Sequence, residues 1–148
     1  MSCKTQEKHM KRLAELVSQD LSYIFGERET GPNGAKKEYL QRGKTFLRAL
    51  AKDLGFVEST VYAIPGGIGV SGEICMMGMW GEGNGIHVYI RENDFLGCIL
   101  YRKISHMKDY CGGHNHFLTR GWLLCSYGEL LDKFLELGRE GETDARAA

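Results

Sequence analysis

No stretch of this sequence approaches 18 uninterrupted apolar residues, so the chain contains no candidate membrane-spanning helix. The opening residues, Met1-Ser2-Cys3-Lys4-Thr5-Gln6-Glu7-Lys8, lead into no apolar run, and a secretory signal is not expected. The five cysteines (Cys3, Cys75, Cys98, Cys111, Cys125) are odd in number, widely spaced and without a Cys-x-x-Cys pair. That pattern argues against a disulfide scaffold, and the expectation is a cytoplasmic protein with reduced thiols. Net charge is also lacking, with 19 basic against 19 acidic side chains. Broad nonspecific coating of nucleic acid is thereby disfavoured, because such affinity comes mainly from phosphate neutralisation. There are no internal repeats and no interdomain linker.

What is present is glycine, 20 residues, of which eight fall between Gly66 and Gly85. A cluster of that density belongs to turns, bulges and close backbone approach. Apolar content of 43% and charged content of 26% are those of an ordinary globular domain.

Periodicity divides the chain near Phe56. Before it, Met10, Leu13, Leu16, Val17, Leu21, Ile24 and Phe25 recur at helical spacing, with Thr5 as expected N-cap and Gly26 as stop. Gly26 to Ala35 reads as a loop. A second helix is strongest over Lys44–Leu54 and ends at Gly55, while Gly43 interrupts its upstream extension. After Phe56 the period becomes two. Strands are expected at Val61–Ile64, across Ile68–Trp80, at Ile86–Arg91 and at Cys98–Lys103, joined by short glycine turns. Short connections make sequential strands antiparallel neighbours. Ser126 and Glu129 form a capping box for a last helix packed through Leu130, Leu131, Phe134 and Leu137, with Gly138 as its stop. The expected fold is therefore α+β: a four-stranded antiparallel meander packed against two N-terminal helices, with a C-terminal helix. Residues 1–138 form one domain and 139–148 a disordered tail.

Two motifs invite chemistry. Gly67-Ile68-Gly69-Val70-Ser71-Gly72 matches the dinucleotide fingerprint letter for letter, but that site requires a helix to come next. Here only short strands are expected, and the motif reads as a twisted or bulged hairpin. Cys111-Gly112-Gly113-His114-Asn115-His116 offers thiolate and imidazole, the ligands zinc prefers. Cys111, His114 and His116, with His106 or Cys125 completing four, form the candidate metal set. The same residues with Asp109 would make a Cys/His nucleophile. Neither has the usual spacing, and a tight turn explains the glycines equally well.

A third candidate is the polar segment after the fourth strand. Arg102, Lys103, His106, Lys108, Asp109, Tyr110 and Asn115 interleave basic and aromatic side chains, which suits phosphates and bases or an acidic protein surface. The basic second helix (Lys36, Lys37, Arg42, Lys44, Arg48, Lys52) reads as a solvated face. Met76, Met77, Met79 and Trp80 read as core or sheet surface.

Thr45–Gly55 and Lys108–Phe117, with Gly67–Gly72 and Gly78-Met79-Trp80, resemble small uncharacterised proteins carried by bacterial plasmids, phages and integrated elements. The resemblance spans about Gly43 to Leu137. In that group threonine often stands at the position of Cys111 and asparagine at that of His116, which weakens the metal and thiol readings. It implies a setting among the accessory genes of mobile elements, and no activity. The expectation is a non-enzymatic interaction protein that acts through Lys103–His116 and adjacent sheet surface on a protein or nucleoprotein partner, in host-defence or DNA-processing machinery, with no cofactor. The alternatives are a zinc or Cys/His enzyme centred on Asp109, Cys111, His114 and His116, and a weak nucleic-acid-binding module.

Overall fold

The computed structural model describes residues 3–18, 34–65 and 72–147. Among them are three α-helices and five strands: α1 (Cys3–Leu16), α2 (Ala35–Leu54), β1 (Glu58–Ile64), β2 (Glu73–Gly81), β3 (Asn84–Asp94), β4 (Gly97–Ile104), β5 (His116–Leu118) and α3 (Tyr127–Ala147). A 3-10 turn, Arg120–Leu123, precedes α3. The class is α+β, as the change of period at Phe56 requires.

α1 begins at Cys3, so Thr5 lies inside the helix and is not its N-cap. Leu21, Ile24, Phe25 and the expected Gly26 loop lie outside the described residues, as do Gly67 to Ser71 of the fingerprint motif. The chain leaves that motif as a strand, β2, so the helix a dinucleotide site demands is not there.

α2 starts at Ala35 and runs through Gly43 without a break. The reason Gly43 is tolerated there is steric. A Cβ at this position would collide with the side chain of Ile74 on β2. Gly43 is a point of close helix–sheet approach, at a propensity cost of roughly 1 kcal/mol relative to alanine. Gly55 ends the helix in the left-handed conformation, φ 74°, with its N–H donated to the Lys52 carbonyl. Arg12 ties α1 to α2 through a two-pronged contact with Glu38, Nε to Oε2 at 2.8 Å and Nη2 to Oε1 at 2.7 Å. Not all of the basic face of α2 is solvated: Lys36 is buried.

The sheet order is β1-β2-β3-β4-β5, every pair antiparallel. The meander thus has five strands rather than four. Three residues are too few to display alternation, so β5 carries no signal of its own; its place is set by pairing Leu118 with Ile99 and His116 with Tyr101. Alternation assigns two faces. Ile74 and Met76, Ile86, Val88 and Ile90, Ile99 and Tyr101, and Leu118 share one core with all three helices. The cover is therefore α1, α2 and α3 together, on one side of the sheet, which leaves the other side open among the described residues.

α3 begins as its capping box predicts. The Glu129 N–H donates to Ser126 Oγ and the Ser126 N–H to Glu129 Oε2, each at 3.2 Å. Gly138 does not stop it: the helix continues to Ala147, and Asn84 Nδ2 donates to the Gly138 carbonyl at 3.2 Å. Trp80 sits partly buried beside this segment, its indole N–H donated to the Leu54 carbonyl at 2.9 Å.

Candidate functional site

The open face of the sheet is not bare. Cys75, Met77, His87, Tyr89, Arg102 and Ile104 point to it, and the connection from Ser105 to Asn115 crosses over it. Successive residues of a strand face opposite ways, so Arg102 and Lys103 part company. Lys103 lies on the helix side and donates Nζ to the Leu137 carbonyl at 3.2 Å. Arg102 lies on the open side, beside His87 in the register.

Arg102 is 4% exposed, and its charge is met by backbone oxygens. Nη1 donates to the Gly112 carbonyl and Nη2 to the Asp109 carbonyl, both at 2.6 Å. Nη2 also lies 3.1 Å from His87 Nδ1. One guanidinium thus holds both ends of the loop's central turn.

Asp109 organises that turn from within. Its carboxylate accepts from the Ser105 N–H (3.0 Å), the Ser105 hydroxyl (3.2 Å), the Cys111 N–H (3.3 Å) and the Gly112 N–H (2.8 Å). The Ser105 N–H is the largest influence holding the carboxyl down to about 2, because hydrogen bonds to the charged form favour it. A carboxylate with this many donors is a structural anchor, not a base for a neighbouring histidine. The backbone is tight enough that Lys108 takes a left-handed φ of 67°. Gly113, φ 76°, passes so close to the Lys103 backbone that a Cβ would strike its carbonyl oxygen.

Beneath the loop lies a buried polar cluster. His87 is fully buried; its Nε2 is 3.0 Å from the Tyr62 hydroxyl and its Nδ1 3.1 Å from the Tyr89 hydroxyl. Arginine has only donors, so Nδ1 must accept and the proton resides on Nε2, donated to Tyr62. Burial, and then the Arg102 charge, push the imidazole down to about 4. His87 is neutral at pH 7, and both ring nitrogens are engaged. Behind it Cys75 is pushed up to about 12, by burial first and Glu73 second. It is therefore an inert thiol at neutral pH. Met77, Met79 and Ile104, with Met107 of the loop, form a small second core beside this cluster.

The sequence candidates are therefore redistributed. Arg102 and Asp109 hold the loop, and Lys103 is bonded within the fold. His106, Lys108, Tyr110, Cys111, His114 and Asn115 stand exposed on the loop. Tyr110 is 60% exposed, one ring edge resting toward His87 with centroids 6.1 Å apart. His116 lies on the helix side of the sheet, stacked on Tyr101 at 5.1 Å. The candidate metal set is thus split between two faces, and among the described residues no group of three or more His, Cys, Asp or Glu side chains is placed to hold a metal. Zinc has no described site at Cys111, His114 and His116.

Nothing in the sequence marks His87, Tyr62 and Tyr89 as parts of one site. Alternation with Ile86, Val88 and Ile90 does put His87 and Tyr89 on the open face; the pairing of His87 with Arg102 is not readable from it.

A separate concavity of about 490 Å³ opens between the 3-10 turn and α3, lined by Thr119, Trp122, Cys125, Glu129, Asp132 and Glu136. Lys133 already supplies its cation, with Nζ 5.5 Å from the Trp122 ring centre and 3.6 Å from Glu136 Oε2. All five cysteines are free, and no helix among the described residues is long and apolar enough to cross a membrane. Comparison with family models, with curated proteins and with solved structures finds no match.

Proposed function

We propose that this chain is a non-enzymatic interaction protein that presents the Ser105–Asn115 loop to a protein or nucleoprotein partner. The observation that carries this reading is the Arg102 clamp: a buried guanidinium is committed to holding an exposed loop in one shape. Ordering a loop before encounter removes part of the entropic cost of association. The surface so presented is centred on Tyr110, a large amphipathic side chain of the kind enriched at interfaces. Lys108 supplies a positive charge beside it, and His106, His114 and Asn115 supply further hydrogen-bonding groups.

The setting in a bacterial mobile element, and a partner in host-defence or DNA-processing machinery, rest on the resemblance carried by Thr45–Gly55 and Lys108–Phe117. The nucleic-acid reading is not favoured, because Arg102 is buried and Lys103 is engaged by α3. The test is affinity capture with the wild-type chain and with Tyr110→Ala, after circular dichroism has established that both are folded. A partner retained by the wild type and lost with Tyr110→Ala is expected. Capture that is indifferent to Tyr110 and Lys108 overturns the reading.

A further inference from the structure

We propose that His87 is the release catch of this loop: protonation of its imidazole breaks the Arg102 clamp and lifts Ser105–Asn115 off the sheet. The consequence for partner binding rests on reading the loop as the docking surface; the opening itself does not.

Arg102 Nη2 is 3.1 Å from His87 Nδ1, and the guanidinium can only donate. That contact exists only while Nδ1 keeps its lone pair. An imidazolium has no acceptor, so protonation sets two cations face to face in a buried site where their repulsion is little screened. The Tyr89 hydroxyl, which donates to the same nitrogen, loses its acceptor at the same moment.

Every element around His87 bears on the balance. Tyr62 on β1 takes the Nε2 proton, and Cys75 on β2 backs Tyr62. Glu73 on β2 acts on Cys75 and Tyr89. Arg102 on β4 opposes protonation, whereas Asp109 of the loop favours it. Tyr110 of the loop caps the ring from above.

The backbone of His87 cannot leave, because it belongs to β3, the middle strand of the five. Arg102 is the group free to move: apart from a contact with the Tyr89 hydroxyl, its remaining hydrogen bonds run to Asp109 and Gly112 of the loop. When it swings out, the loop goes with it. Asp109 is still ionised where His87 titrates, since its carboxyl is held down to about 2. The turn around Asp109 therefore survives, and the loop moves as one intact unit.

Linkage gives the sign. A histidine depressed in the folded state is fully accommodated above the ordinary imidazole value of about 6.5. Closure loses stability as pH falls from about 6.5 toward about 4.

The experiment is an NMR titration of the full chain from pH 7 to 3.5, tracking the His87 ring and the Asp109, Cys111 and Gly112 amides. The expected result is one shared midpoint between the closed-state value of about 4 and the ordinary imidazole value of about 6.5, with the strand amide of Ile99 unmoved. Loop amides that stay put while His87 protonates, or that move at an unrelated pH, overturn the proposal. His87→Gln supplies a neutral acceptor for Arg102 and a donor for Tyr62, and is expected to abolish the transition. Its persistence at the wild-type midpoint also overturns the proposal. Should His87→Gln fail to fold, the shared midpoint of the wild type still decides. If Tyr110→Ala leaves capture intact, the docking reading fails while the titration still tests the catch.

Discussion

Replacing Arg102 with methionine isolates the role of the clamp. Methionine has a similar length and no charge, so the apolar stem is kept and the donors are lost. Hydrogen bonds from a charged donor contribute about 1.5–3 kcal/mol each. The two carbonyl contacts at 2.6 Å are the strong ones. Against them stands the cost of burying the guanidinium, several kcal/mol, which the substitution also removes. The freed Asp109 and Gly112 carbonyls recover water once the loop lifts. The net global loss is therefore small, about 1–2 kcal/mol, against a total of roughly 5–15 kcal/mol for a domain. The local loss is large. Backbone order parameters at Cys111 and Gly112 should fall from about 0.85, typical of rigid backbone, to below about 0.6. In parallel, the His87 pKa should rise from about 4 toward its ordinary value without reaching it, because burial, the larger cause, remains. Urea denaturation gives the first quantity, and relaxation of nitrogen-15 amides the second. A loop as rigid as in the wild type refutes the clamp. A loss of more than about 5 kcal/mol refutes it in another way, since Arg102 would then be holding the fold rather than the loop.

Three further substitutions test the fold beneath the site. Gly43→Ala forces a Cβ into Ile74; overpacking of about 1–3 kcal/mol is partly offset by about 1 kcal/mol of helix propensity. Ile74→Val removes the terminal methyl in the way, so denaturation of the double variant should show a loss smaller than the sum of the singles by about 1 kcal/mol; strict additivity would mean the helix simply shifts. Tyr39→Phe deletes a buried hydroxyl that donates to the Ile90 carbonyl at 2.9 Å and lies 3.3 Å from the Gly72 carbonyl. The expected cost is about 1–2 kcal/mol by thermal or urea unfolding, and a neutral result would mean that both carbonyls find other donors.

The sequence by itself determined the local elements, because each depends on residues close to one another along the chain. The stripe of Phe46, Leu47, Leu50 and Leu54, the glycine stop at Gly55, the Ser126–Glu129 box and the alternation after Phe56 were all legible for that reason. Even the dismissal of the glycine fingerprint needed only the absence of a helix after Gly72. Other features depended on partners far away in sequence. Gly43 is read as an interruption until Ile74 is seen against it, and β5 has no signal apart from β4. The candidate site divides in the same way. The polar loop was visible as composition, but which of its residues face a partner was decided by tertiary structure. Neighbouring positions Arg102 and Lys103 look alike as letters, yet the strand sends them to opposite faces, one to His87 and the loop carbonyls, the other to α3. A hydrogen-bonded cluster assembled from β1, β3, β4 and a loop is a property of register, and register is set by the packing of one whole face of the sheet.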